Sequence, residues 1–333
     1  MSTYPSTTPW PTKRWTRGER SALTNRASTD AIDSLFDGLA APDVTYALLI
    51  AAGGELVYER YDHGANAGYL QYSWSIAKSI THALAGCLVA DGHWDVDQPL
   101  PVPEWRDDER SAITLDQLLA MRSGLEFRED YVDGQASDVI PMLFGDGRRD
   151  TGAYAASKPL IHTPGTQFAY SSGTTNIICR ALRDQLGGPT EFLRYAQERL
   201  FEPLGMRSAT PRFDHSGTFI GSSFLLAEPR DFLRFGLLYL RDGQWDEQQI
   251  LPPGWAGYGT AESFNDGTEA YGAHWWREPT GPRYFASGYD GQRIVVDPDA
   301  DLVLVRMGRT PIERAAPIWD ATSRLMDALA AGG

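Results

Sequence analysis

The chain has 333 residues, 42% hydrophobic and 11% aromatic, which is ample for a well-packed core in one large domain or two smaller ones. Its formal net charge is −14 and no extended basic run breaks that balance, since Arg148-Arg149 is flanked by Asp146 and Asp150. A surface that binds nucleic acid or an anionic membrane needs concentrated Lys and Arg, so neither partner is expected and the composition predicts a soluble globular protein.

Residues 1–27 are rich in Ser, Thr, Pro and Arg and read as an irregular leader. They hold no apolar run, which predicts neither a secretory signal nor a membrane span and makes the cytoplasm the expected location. A short helical pattern covers 30–39. Two strand-like runs follow, 45–51 and 56–61, joined through Gly53-Gly54, a hairpin signal. After them Ile76, Ile80, Ala83, Leu84, Cys87 and Leu88 recur at the three-and-four spacing of a buried helix face, ending near Asp91-Gly92.

From Trp94 to about Gly259 the pattern is of helices between Pro/Gly loops: 115–121 capped by Thr114, 174–186, 190–200 and 229–240. Strand signals return at 271–276, 283–286, 293–296 and 302–307, and 312–330 closes as a helix. Cys87 and Cys179 fall on helical apolar faces and read as unpaired core thiols, with no metal-ligand spacing around them. The expected fold is α/β in the α+β sense: an antiparallel sheet flanked by the terminal helices, plus an inserted, mostly helical domain. The predicted boundaries are 1–27 for the leader, 28–85 with 262–333 for the sheet domain, and 86–261 for the helical domain. Such a join leaves a cleft between the two parts.

Three lysines occur in the chain, Lys13, Lys78 and Lys158, and arginine supplies almost every other cation. Lys78 stands three residues after Ser75 at the head of the apolar helix, so one helical turn sets an ammonium beside a hydroxyl. Desolvation there lowers the amine pKa and lets it take a proton from Ser75 Oγ near neutral pH. Tyr170, in Tyr170-Ser171-Ser172-Gly173, lies where a turn opens a helix and is a plausible proton-passing partner. A third element, Ala286-Ser287-Gly288-Tyr289-Asp290-Gly291, has glycines that let a strand edge approach a substrate and offer a second oxyanion donor beside the Ser75 N–H.

In order and kind these elements resemble the serine β-lactamase and penicillin-binding protein superfamily: Ser75-x-x-Lys78, Tyr170-x-Ser172 in the place of Y-x-N/S, and Ala286-Ser287-Gly288 in the place of the K/H-T-G strand. Within it the chain looks most like the class C β-lactamase-related hydrolases, particularly the 6-aminohexanoate-dimer hydrolase and family VIII carboxylesterase branch. Residues 129–133 and Gly288-x-x-Gly291-Gln292 carry that narrower likeness. The resemblance implies Ser75, Lys78 and Tyr170 as catalytic residues and the N–H groups of Ser75 and Tyr289 as the oxyanion hole. It implies Tyr131, Ser172, Ser287, Gly288 and Asp290 as substrate-binding residues, with Tyr131 aiding the leaving amine. No metal or organic cofactor is expected; the expected partner is a small-molecule ester or amide, and the expected assembly a monomer or homodimer.

Two departures narrow the substrate. Ala286 replaces the Lys or His that holds a β-lactam carboxylate, which disfavours antibiotic hydrolysis. The dimer hydrolases place an acid downstream of the tyrosine loop to hold a substrate ammonium, whereas here Val139, Ile140, Pro141 and Met142 stand there, with Asp138 and Asp146 only nearby. The alternatives are a β-lactamase or D-Ala-D-Ala carboxypeptidase of the same fold, and a catalytically silent ligand-binding homologue.

Overall fold

The computed structural model describes residues 8–19, 21–39, 43–131 and 136–331. Its centre is an eight-stranded sheet. Strands β1 (Val44–Ala52) and β2 (Glu55–Tyr61) come from the first part of the chain. The rest come from the last part: β3 (Phe264–Asn265), β4 (Ala270–Tyr271), β5 (Trp276–Arg277), β6 (Tyr284–Gly288), β7 (Gln292–Asp297) and β8 (Leu302–Arg309). The order is β2-β1-β8-β7-β6-β5-β4-β3, and every neighbouring pair is antiparallel. Gly53 and Gly54, at φ +58° and +82°, make the tight β1–β2 turn, for which two consecutive left-handed residues are needed.

Both faces of the sheet are covered, which is why β1 is an almost unbroken apolar run. Leu48 and Ile50 face helices α1 (Arg26–Phe36) and α5 (Ala316–Ala331), packing with Leu35, Phe36, Leu325 and Met326. Leu49 and Ala51 face the opposite side, where α2 (Ile76–Ala90) and α4 (Pro229–Leu240) lie. Each such Leu or Ile contributes about 1.5–3 kcal/mol by leaving water. Helix α4 sits especially close: a Cβ on Gly236 would come within 2.5 Å of Val303 Cγ1.

Helix α2 is the shared axis of the sheet and the helical part, buried without a break from Ile76 to Leu88. Against it packs α3 (Ser172–Leu186), capped by Ser171 Oγ accepting from the Thr174 N–H at 3.1 Å. This is the expected sheet flanked by terminal helices, with mostly helical structure between its two contributions. No helix among the described residues is long and apolar enough to cross a membrane.

Three segments depart from expectation. The 271–276 run splits into β4 and β5, because His274 takes φ +58° and its carbonyl turns to accept from Ser79 Oγ at 2.7 Å. The first helix begins inside the expected leader, at Arg26, where Asn25 Oδ1 caps the Ser28 N–H. The described part of that leader is also tied down: Trp245 Nε1 donates to Thr12 Oγ1 at 2.7 Å, and Arg234 Nε donates to the Pro11 carbonyl at 2.8 Å.

Candidate active site

Ser75 is the residue from which α2 starts, with φ −65° and ψ −8°. The segment before it is held by pairing of Gln71–Tyr72 with Leu225–Ala227 and by a Ser73 N–H bond to the Leu225 carbonyl of 2.8 Å. Between them Trp74 takes φ +43°, a left-handed conformation that a bulky side chain adopts at a cost of about 1–2 kcal/mol. Ring contacts with Tyr72, Phe224 and Tyr289, at centroid distances of 5.8, 5.8 and 5.6 Å, hold it there. Strain is thus stored in the residue that aims Ser75.

One helical turn on, Lys78 is 2% exposed. Its Nζ donates to Ser75 Oγ at 3.1 Å, to Ser172 Oγ at 3.0 Å and to the Ser222 carbonyl at 2.9 Å. Burial pushes its pKa down to about 8, with the Glu129 carboxylate pulling the other way. The Lys78 ammonium lies 4.7 Å from the centre of the Tyr170 ring. Burial and then Glu129 raise the phenol well above its ordinary range, only partly offset by the nearby Ser75 hydroxyl, so it stays protonated. Ser75 is therefore bonded to an amine that deprotonates easily and lies near a phenol that does not.

Ser172 departs from its expected role. It is fully buried, and its hydroxyl accepts from Lys78 and donates to Glu129 Oε1 while its N–H donates to Glu129 Oε2 at 2.7 Å. It cannot touch a substrate; it links the amine to a carboxylate. Glu129 was not among the expected site residues. It is brought there because Gly173 leaves room for Phe127, whose ring a Cβ would meet at 2.5 Å, laying 127–129 across the start of α3. The only sequence sign was an acid two residues before Tyr131.

Tyr131 is 39% exposed, donates to Glu129 Oε1 at 3.1 Å and rests 5.6 Å from the Tyr289 ring. Val132 and Asp133 of the same motif lie outside the described residues. Tyr131, Ser287, Gly288, Tyr289 and Asp290 all line one cleft with Ser75, Glu129 and Tyr170, of about 750 Å³. Gly288 brings strand β6 against the serine loop, since a Cβ there would lie 2.4 Å from the Ser73 carbonyl oxygen. That contact sets β6 against the residues that lead into Ser75. Ala286 is 1% exposed and leaves no cation at its position. Asp138 is tied to Lys158 and to the Arg128 N–H, and Asp146 is a nearly fully exposed partner of Arg149.

Among the tryptophans, Trp276 lines the cleft, Trp275 is fully buried, Trp74 backs Tyr289, and Trp10 packs on Trp245.

A curated relative, the 6-aminohexanoate-dimer hydrolase of Paenarthrobacter ureafaciens, is 27% identical over 294 residues, covering 80% of this chain and 73% of the relative. A solved Bacillus anthracis structure assigned as a 6-aminohexanoate-dimer hydrolase matches with a TM-score of 0.78 at 21% identity, covering 95% of this chain and 87% of its own. D-amino acid amidase from Ochrobactrum anthropi SV3 matches with a TM-score of 0.67 at 18% identity, covering 92% and 98%. These two structures share the fold. The Beta-lactamase family model matches residues 33–321, and the chain belongs to that family.

Proposed function

We propose that this protein is a serine hydrolase that cleaves carboxylic ester or amide bonds of small molecules through an acyl-enzyme on Ser75. The observation that carries this reading is the 3.1 Å contact from a buried Lys78 Nζ, its pKa near 8, to a half-buried Ser75 Oγ that faces the cleft. A primary amine so placed accepts the serine proton at neutral to mildly basic pH.

Ser75 Oγ attacks the substrate carbonyl carbon as its proton passes to Lys78 Nζ. Charge on the carbonyl oxygen is met by the N–H groups of Ser75 and Tyr289. As the bond to the leaving group breaks, the Tyr170 hydroxyl gives that group a proton and takes one back from the Lys78 ammonium. Water then attacks the ester on Ser75, with Lys78 again taking the proton and returning it to Ser75 Oγ as the acid leaves. Ser172 and Glu129 hold the amine in place and set its basicity. Backbone N–H groups meet the developing charge, and the Lys78, Tyr170 and Ser75 side chains carry the proton transfers.

Relatives named for hydrolysis of the 6-aminohexanoate dimer and of D-amino acid amides support an ester or amide substrate. β-Lactams fit less well, because Ala286 offers no charge to their carboxylate. The ammonium site of the dimer hydrolases has no free counterpart in Asp138, which Lys158 occupies. The test is hydrolysis of p-nitrophenyl butyrate: Ser75→Ala is expected to lower kcat/KM by at least about 10³-fold, and retained activity would overturn the assignment.

A further inference from the structure

The cleft does not end at Ser75. It is also lined by Phe285, Arg293, Ile312, Trp319 and Met326, the last two on α5. Arg293, on β7, differs from several other partly buried arginines. Arg180 is bound by Glu104, Arg234 by Asp231, Arg283 by Asp297, and Arg306 by the Gly291 carbonyl. Arg293 has no carboxylate or carbonyl partner among the described residues, and its buried Nε is unbonded.

Its guanidinium is nevertheless fixed. The Cζ atom lies 3.5 Å from the centre of the Trp319 ring and 4.1 Å from that of Phe285, a sandwich that fits a planar, weakly hydrated cation. Burial lowers its pKa only to about 9, so it remains charged at neutral pH. A half-buried cation held between two rings, with a buried Nε that has no partner and a place in the cleft lining, is set to receive an acceptor. Glu278 and Glu269 line the same cleft and attract it, but neither pairs with it. Their negative field opposes a phosphate dianion more strongly than a singly charged carboxylate.

Ser287 and Arg293 are cross-strand partners in register, and Ser287 shares the cleft with Ser75. Neighbouring strands are about 4.8 Å apart, so Arg293 stands one strand beyond a residue that shares the cleft with the reacting serine. We propose that Arg293, clamped between Phe285 and Trp319, is a subsite for a carboxylate carried by the substrate, which makes the preferred substrates anionic esters or amides. Planar bidentate recognition of a carboxylate is the use to which a preorganised guanidinium is best suited. The inference rests on the hydrolase reading above, and its test separates the two.

Two ester pairs are compared: p-nitrophenyl hydrogen adipate against p-nitrophenyl hexanoate, and 4-carboxyphenyl butyrate against 4-carbamoylphenyl butyrate. The protein is expected to favour the charged member of at least one pair by about tenfold or more in kcat/KM, chiefly through KM. Arg293→Gln is expected to collapse that ratio toward one, and Arg293→Lys to restore part of it. Arg293→Met, which keeps an unbranched stem between the rings, replaces the Gln variant if the latter melts early. Absence of any charged preference, or an equal loss for charged and neutral esters in the variants, overturns the subsite. If no ester of either kind is cleaved, the hydrolase reading fails. The subsite is then decided by calorimetric titration with adipate: saturable binding that weakens at least about tenfold in Arg293→Gln supports it, and no binding overturns it.

Discussion

Glu129 and Lys78 face each other across a single hydroxyl. Ser172 Oγ accepts from Lys78 Nζ at 3.0 Å and donates to Glu129 Oε1, while the carboxylate is anchored by the Ser172 N–H at 2.7 Å. Two opposing effects therefore set the basicity of the amine. Burial disfavours the ammonium and is the larger; the nearby anion favours it.

The sign of the pH dependence follows. The amine acts when neutral, so kcat/KM for a p-nitrophenyl ester is expected to rise with pH along a limb of apparent pKa near 8. Glu129→Gln removes the charge that favours the ammonium, lowers the amine pKa and moves the limb to lower pH. A pH–rate profile of the variant checks this, and a limb that stays or moves upward contradicts it.

Lys78→Met separates catalysis from stability. Lowering the amine pKa from 10.5 to about 8 means that burying its charged form costs about 3 kcal/mol at neutral pH. That cost is present below about pH 8 and disappears by about pH 10.5, so stability from this group rises with pH between the two. The methionine removes the cost and also three hydrogen bonds worth about 1 kcal/mol each, so the changes nearly cancel. A melting temperature within about 4 °C of the parent is expected, with a loss of at least about 10³-fold in kcat/KM. Calorimetry and ester kinetics on one preparation measure both.

Gly288 tests the strand contact. Its φ of −123° suits any residue, so Gly288→Ala acts through steric contact, chiefly the 2.4 Å clash with the Ser73 carbonyl, with Gln292 Cβ at 3.1 Å and Trp74 Cβ at 3.2 Å adding to it, prying β6 from the serine loop. A drop of about 10²-fold in kcat/KM is expected, because a displacement near 1 Å spoils oxyanion geometry. Gly257→Ala, where a Cβ meets nothing within 4 Å, serves as the control and is expected to leave activity within about twofold.

Tyr131 touches Glu129 and rims the cleft, and in the proposed reaction its hydroxyl helps a departing amine. A p-nitrophenolate leaves without a proton, whereas an alkylamine does not. Tyr131→Phe is thus expected to slow amide hydrolysis at least about tenfold more than p-nitrophenyl ester hydrolysis, read as the ratio of the two kcat/KM values.

Much of this was written locally in the chain. Helical spacing alone pairs Ser75 with Lys78, Gly53-Gly54 announces the hairpin, and Pro229 starts α4 at the residue its pattern predicts. What escaped depends on distant contacts. Glu129 reaches Ser172 across 43 positions from a segment without periodicity, and its place in the 129–133 motif does not announce that contact. Ser172 looked like a substrate contact because its motif is known by spacing, whereas its burial is set by packing of Phe127 and α3. Arg293 read as a polar strand position; only the arrival of Trp319 from α5 turns it into an immobilised cation.

The central claim is that Ser75 is an activated nucleophile, and labelling with a fluorophosphonate at pH 8–9, followed by peptide mass mapping, tests it most directly. One adduct on Ser75, absent in Lys78→Met, is the predicted result. A folded protein that stays unlabelled, or carries its adduct on another residue, would contradict it.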